Sequence, residues 1–342
     1  MKDVDFTIPS HLTAKEFGKV KIHRIGKSLD VEFTILMEPE GSGGEGWQTG
    51  VAIDGSASMR NPFGKELSGK IPPDVMSDYE AKKWVTYGIQ DGRKYRFFQP
   101  EAYEAAVKAG YMKFSENIIE PLARDFVGYL AGNLDADGGT TLIYWACGDG
   151  SVIEEVGDFT EAQCKSLCLE GPKKSFGIKT NLVPAIKYFV NRFADAKNGM
   201  YIFITDGKLD DLPEVKNLTT QIAHEISQGK RNPVKFVLIG VGDSVDEKQM
   251  EELDNLDTGT DMDLWDHKIA KEMRALVEIF SEVVEENQII APTGIIVDSS
   301  GKKVKVFSDG LPAKINVSMD ASSEWFELEV AGRRIRQTLL LP

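Results

Sequence analysis

The sequence predicts an α/β protein with a doubly wound, mostly parallel sheet, joined to an antiparallel β-sandwich built from both chain ends. Three observations carry this expectation. Short continuous apolar runs recur at GVAID (50–54), TLIYWAC (141–147), MYIFIT (200–205) and VKFVLIGVG (234–242), the pattern of parallel strands covered on both faces. Amphipathic stretches fill the gaps between them. In NIIEPLARDFVGYLAG, Ile119, Leu122, Phe126 and Leu130 share one helical face, and NLVPAIKYFVNRF, LPEVKNLTTQIAHEIS and IAKEMRALVEIFSEVVEE read the same way. The two ends keep a different rhythm. SLDVEFTILME places Leu29, Val31, Phe33, Ile35 and Met37 on alternate positions. KINVSM and WFELEV repeat this with Ile315, Val317, Met319 and with Phe326, Leu328, Val330, the period of half-buried antiparallel strands.

In order along the chain, residues 1–48 are expected to supply the first sandwich strands, residues 49–288 the α/β domain, and residues 289–342 the strands that complete the sandwich. The alternative arrangement is that each end adds edge strands to a separate surface. Within the α/β domain, residues 60–113 form an insertion much longer than an ordinary connection. It is rich in aromatics (Tyr79, Trp84, Tyr87, Tyr95, Phe97, Phe98, Tyr103, Tyr111), and DYEAKKWVTYGI and PEAYEAAVKAG read as helices. Because it leaves directly from the candidate site described next, it is placed to rim that site. The plainer role for most of its rings is to pack a small helical cap on the parent domain.

Composition narrows the function classes. With 342 residues, 42% of them hydrophobic, the chain can bury a sizeable core. Its formal net charge of −14 repels phosphate backbones and anionic membranes, so nucleic acid is not the expected partner. No run of 18 apolar residues occurs, so no membrane span is expected. The segment MKDVDFTIPSHLTAKEFGK lacks the apolar core of a secretory signal. Three cysteines, with Cys164 and Cys168 unaccompanied by a second pair, read as reduced thiols. Together these point to a cytoplasmic protein.

The candidate site begins where a strand stops. VAIDGSASM ends an apolar run in Asp54 and follows it with Ser56 and Ser58, only small residues between them. IFITDG ends another run in Asp206. In parallel sheets ligands gather at the carboxyl ends of the strands, and two carboxylates held close there repel unless a cation or proton lies between them. Gly55 and Ala57 let the chain curl so that both serine hydroxyls reach the same concavity. Hard oxygens of this kind suit Mg²⁺, with Mn²⁺ or Ca²⁺ also able to use them. A DGSAS turn by itself is also an ordinary strand-to-helix connection with Asp and Ser as caps.

The combination of D-G-S-A-S with Met59, a threonine at the head of a helix, and an aspartate in a TDG strand end resembles the von Willebrand factor type A domain and its metal-ion-dependent adhesion site, over residues 49–288. The resemblance implies that Ser56 and Ser58 ligate Mg²⁺ directly, that Asp54 and Asp206 act mostly through water, and that a threonine completes the set. KTNLVPAIKYF has a helical pattern and GGTT runs straight into a strand, so the threonine is assigned as Thr180, with Thr140 and Thr141 as alternatives. Lys179 stands where that family usually has glycine. Five protein oxygens would leave one metal position for an Asp or Glu of a protein partner. The likeness of DADGGTTLIYWACGDG and FVLIGVGDSVDEKQMEELDNL to the tellurium-resistance and copine branch implies an intracellular scaffold in a bacterial stress or defence system.

The expected function is therefore a non-catalytic, metal-dependent protein-binding module, with no catalytic residues. The alternative is a metal-assisted phosphoryl-transfer or hydrolytic enzyme. Against it, the position of a second acid in a DxD phosphatase motif is Ser56, and no P-loop or GxSxG elbow occurs. His11, His23, His224 and His267 are scattered without metal-ligand spacing and read as surface or capping residues.

Overall fold

A computed structural model describes residues 4–9, 12–36, 46–90, 92–273 and 289–339. The chain opens with β1 (Val4–Thr7), β2 (Phe17–Ile25) and β3 (Ser28–Ile35), an antiparallel meander. In β3 the alternation expected from the sequence is realised: Leu29, Val31, Phe33 and Ile35 are buried and the residues between them half-buried. Met37 lies outside the described residues.

The chain then enters a central sheet with β4 (Trp47–Asp54). The insertion follows as β5 (Leu67–Gly69), α1 (Pro73–Ala81), β6 (Val85–Gln90), β7 (Arg93–Phe98), α2 (Pro100–Lys108) and β8 (Met112–Phe114). Next come α3 (Ile119–Asn133), β9 (Thr140–Cys147), β10 (Val152–Phe159), the single turn α4 (Glu161–Cys164) and α5 (Val183–Arg192). The central unit continues with β11 (Asn198–Thr205), α6 (Leu212–Ser227), β12 (Val234–Gly240), α7 (Glu247–Asp254) and β13 (Trp265–Ile269). Of the stretch IAKEMRALVEIFSEVVEE, expected as a helix, the described part is Ile269 at the end of β13, a 3-10 turn at Ala270–Glu272 and Met273 in an extended conformation; the remainder lies outside the described residues.

The central sheet has the order β10-β9-β4-β11-β12-β13. Five strands run parallel and β10 is antiparallel at one edge. Each face carries its own apolar core. On one side Val51 and Ile53 of β4 meet Phe126, Val127 and Leu130 of α3. On the other, Ala52 lies in a cluster with Ile186 and Phe189 of α5 and with Phe203 and Trp265. Phe189 sits so close to β4 that a Cβ on Gly50 would lie 2.3 Å from its ring. Fully burying each such ring contributes about 1.5–3 kcal/mol.

The C-terminal part comprises β14 (Ile289–Ala291), β15 (Gly294–Asp298), β16 (Lys303–Phe307), β17 (Leu311–Pro312), β18 (Lys314–Asp320), β19 (Trp325–Val330) and β20 (Arg333–Thr338). β18 pairs antiparallel with β3, from Lys314 opposite Thr34 to Asp320 opposite Ser28. The other four-stranded sheet is β16-β15-β19-β20. Phe17 and Phe33 from the N-terminal sheet share one core with Ile296, Phe326 and Leu328 from the C-terminal one, and the Phe33 and Phe326 rings lie 4.7 Å apart. Strands too distant in sequence to pair locally thus bury one another's apolar faces.

The fold class expected from the sequence is corrected here. The described residues form twenty strands and seven α-helices. Five of the six sheets are antiparallel and the sixth is mixed, so the protein is strand-rich rather than a doubly wound parallel α/β fold. The sequence reading took its class from four apolar runs. The antiparallel β10, whose half-buried residues give no continuous apolar run, and the insertion's short antiparallel strands carry no such signal. DYEAKKWVTYGI is likewise not one helix: α1 ends at Ala81, Lys83 takes a left-handed φ of +60°, and Val85 begins β6. β-Branched and aromatic residues at VTYGI favour the extended chain over helix. The insertion therefore mixes helices with the β6–β7 hairpin and with the β5–β8 strand pair that joins its two ends, around a core of its own that includes Tyr79, Val85, Ala102 and Ala106.

Candidate metal centre

β4 and β11 are adjacent and parallel, with Ile53 opposite Ile204, so Asp54 and Thr205 end their strands side by side. Thr205 Oγ1 donates to Asp54 Oδ2 at 2.7 Å, and the Ser56 amide donates to Asp54 Oδ1 at 2.7 Å. The chain then turns away, its Gly55 amide held by the Trp145 carbonyl at 2.7 Å. A 3-10 turn at Ala57–Arg60 follows, anchored by the buried Met59. The Ser56 and Ser58 hydroxyls lie 3.1 Å apart, and Ser58 Oγ donates to Asp206 Oδ1 at 2.7 Å. Asp54, Ser56, Ser58 and Asp206 are thereby brought to one place, as expected from two strand ends and one curled loop.

Thr180 enters through its backbone. The loop before it pairs with the serine loop: the Gly177 amide donates to the Gly55 carbonyl and the Ala57 amide to the Gly177 carbonyl, both at 2.8 Å. The Thr180 amide donates to Asp210 Oδ2 at 2.8 Å and its carbonyl accepts from the Asp210 amide at 3.0 Å. Asp211 accepts from the Leu182 and Val183 amides at 2.8 and 2.9 Å, capping α5. Thr180 is buried three residues before α5, but its hydroxyl hydrogen-bonds none of the other four candidates. Thr140 and Thr141 begin β9, whose register sets Thr141 opposite Gly50 and Trp145 opposite Asp54. At about 3.3 Å per residue they lie at the far end of the sheet from Asp54.

Four residues that hold this arrangement were not singled out from the sequence: Thr205, Gly177, Asp210 and Asp211. The adjacent acids of ITDGKLDD were a readable signal for the last two. Gly177 had none, because what requires it is a distant backbone: a Cβ there would lie 1.8 Å from the Ala146 carbonyl oxygen.

The electrostatics are those of carboxylates held in a dry setting by hydroxyl and amide donors. Burial pushes the Asp54 carboxyl up to about 7 despite the opposing hydrogen bonds from Thr205 and Ser56. Burial also raises Asp206. Among the described residues, no Lys, Arg or His pairs with either carboxylate. Ser58 is exposed while Asp54, Ser56 and Asp206 are buried, so the cluster opens to solvent through Ser58. Two carboxylates and two hydroxyls converging without a cationic side chain fit a hard divalent cation. Asp54, Ser56, Ser58 and Asp206 would hold it, with Thr180 at the edge of the set. Nearby, burial pushes the Cys147 thiol up to about 12.

A second cluster contains the half-buried His267, which the sequence alone reads as a surface or capping residue. Asp254, Asp266 and His267 each offer a ligand atom within 4.8 Å of the others. His267 Nδ1 lies 2.9 Å from Asp254 Oδ2, and Lys268 Nζ lies 2.7 Å from Asp266 Oδ2. The set could hold a metal, although Lys268 from outside it already pairs with Asp266. The spacing of His267 from Asp254 gave no signal, since α7 and β13 meet only in the folded chain.

Among the described residues no helix is long and apolar enough to cross a membrane, and Cys147, Cys164 and Cys168 are free thiols. Compared with known proteins, the chain matches no family model and no curated protein.

Proposed function

We propose that this protein is a non-catalytic binding module. In this reading Asp54, Ser56, Ser58, Thr180 and Asp206 hold a divalent cation, Mg²⁺ by preference and Mn²⁺ or Ca²⁺ as alternatives, which a protein partner reaches with an Asp or Glu side chain. The observation that supports it is the chain of contacts from Asp54 through Ser56 and Ser58 to Asp206, with no cationic side chain against either acid. A bound Mg²⁺ would supply positive charge and a ligand position for a carboxylate. The protein's own residues do the rest: Thr205 and the Ser56 amide orient Asp54, and the Gly177 pairing keeps the serine loop curled. The von Willebrand factor type A resemblance supports the same reading. That no histidine or lysine pairs with the acids among the described residues, and that burial raises the Cys147 thiol, speak against a hydrolytic or phosphoryl-transfer role. The free thiols agree with a cytoplasmic place, and a scaffold of a bacterial stress or defence system is the setting the resemblance favours.

Calorimetric titration of chelator-treated protein with Mg²⁺ tests the site. The expected result is saturable one-site binding that weakens at least tenfold in Asp206→Ala and in Ser58→Ala. Unchanged binding in both variants would remove the cation from this place. Release of a partner by chelator, restored by Mg²⁺, tests the second half of the proposal.

A further inference from the structure

The hairpin β6–β7 joins the insertion's core at its base, where Val85 is buried and Phe98 half-buried, and its outer part stands out because it is open on both faces. Arg93, Lys94, Tyr95, Arg96 and Phe97 are consecutive residues and all exposed, whereas a strand with one face on a core alternates. Tyr87 is 49%, Ile89 77%, Tyr95 41% and Phe97 44% exposed, so, among the described residues, four of the twelve large exposed apolar side chains lie on this one ribbon. The register sets Tyr87 opposite Arg96 and Ile89 opposite Lys94 on one face, and Phe97 opposite Thr86 and Tyr95 opposite Gly88 on the other. The Arg96 guanidinium lies 5.8 Å from the centre of the Tyr87 ring. Arg93 and Lys94 form no ion pair with any described residue.

Charge says what this surface would accept. The hairpin, residues 85–98, carries three cations, Arg93, Lys94 and Arg96, against one acid, in a chain whose net charge is −14, and the neighbouring Glu80 accepts from the Tyr87 hydroxyl. A basic, aromatic ribbon on an otherwise acidic body attracts negative charge to itself and repels it elsewhere. A long polyanion lying across the body meets that repulsion, while a short acidic peptide segment touches only the ribbon. The two-stranded sheet also has outer edges that pair with no further strand among the described residues, and such edges receive extended peptides. Arg and Tyr are common anchors of protein interfaces.

We infer that the β6–β7 hairpin is a docking surface for an acidic, extended segment of a partner polypeptide, with Arg93, Lys94 and Arg96 meeting its carboxylates and Tyr87, Ile89, Tyr95 and Phe97 its apolar side chains. The inference takes from the proposed function only that the protein binds polypeptide, and it does not depend on the cation.

The test uses the full chain and a fluorescein-labelled peptide of alternating Glu and Tyr, read by fluorescence anisotropy with and without EDTA. A matched peptide of alternating Gln and Tyr and a labelled oligouridylate serve as comparison probes. The variants are R93E/K94E/R96E and the milder R93Q/K94Q/R96Q, both at exposed positions, with circular dichroism confirming the fold. Salt-sensitive binding of the acidic peptide is expected, with at least tenfold lower affinity in the charge-reversed protein, a smaller loss in the neutralised one, and persistence in EDTA and in Asp206→Ala. Equal binding by wild type and charge-reversed protein overturns the inference, as does tighter binding of oligouridylate or of the Gln peptide. Concentration-dependent dimerisation abolished by the charge reversal, seen by sedimentation, would assign the ribbon to a second copy of this chain and overturn it too. Loss of Mg²⁺ binding with retained peptide binding would count against the cation site alone.

Discussion

Replacing Gly177 with alanine should unfasten the candidate metal centre. The added Cβ would lie 1.8 Å from the Ala146 carbonyl oxygen and 2.8 Å from its carbon, where real Cβ atoms keep at least 3.0 Å. Both atoms are backbone, so no rotamer change can relieve the overlap. Ala146 has little freedom to retreat, because it already sits at a φ of +55°. The 176–178 segment must therefore move away, and with it go the two 2.8 Å bonds between Gly177 and the serine loop. Two backbone hydrogen bonds at about 1 kcal/mol each and an overpacking cost of about 1–3 kcal/mol give a loss of about 3–5 kcal/mol. Urea unfolding followed by tryptophan fluorescence reads this directly, since Trp145 and Trp265 are buried in the central sheet. Gly207→Ala is the control. Its Cβ would make an ordinary 3.7 Å contact with Ser58 Oγ, and the change should stay within about 0.5 kcal/mol. Equal unfolding midpoints for Gly177→Ala and wild type, or an equal loss in the control, would refute the reasoning.

Three further outcomes follow from other parts of the molecule. Asp211→Ala removes the acceptor for the Leu182 and Val183 amides and should cost about 1–2 kcal/mol in denaturant unfolding, as loss of a helix cap does. Phe326→Ala opens a cavity between the two sheets of the sandwich, where Phe17, Phe33 and Phe326 stack, and should cost about 3–5 kcal/mol in the same assay. Asp298 carries a pH signature: burial acts to raise its carboxyl, but hydrogen bonds from Ser300 and Lys302 outweigh it and hold the group below the usual carboxylate range. A depressed value in the fold means that its stabilisation is present above the ordinary value of 3.8 and is lost as pH falls through the folded one. Thermal melts between neutral pH and pH about 2 should thus show a shallower acid loss for Asp298→Asn than for wild type.

The sequence was most informative where one face of an element is buried along its whole length. The apolar runs that became β4, β9, β11 and β12, and the alternation that became β3, β18 and β19, could be read locally because burial imposes its period on each strand directly. It was less informative about β10 and β6, where the residues are half-exposed or only partly covered. Weighting the continuous runs then led to the wrong class for the chain as a whole.

The same division holds for the candidate site. Asp54, Ser56, Ser58 and Asp206 were legible because strand ends and small-residue turns announce themselves over a few positions. Gly177, Thr205, Asp210 and Asp211 were not, since their partners lie up to 151 residues away, as with Thr205 and Asp54, and nothing local records a contact made across the sheet. The sequence by itself determined which fully or alternately apolar stretches extend and which oxygens stand at the ends of β4 and β11. Only the tertiary structure decided that two carboxylates share one hydroxyl-lined corner, that the chain ends close a common core, and that the outer part of a basic hairpin is left uncovered. These outcomes depend on parallel register and long-range packing, which no short segment encodes alone.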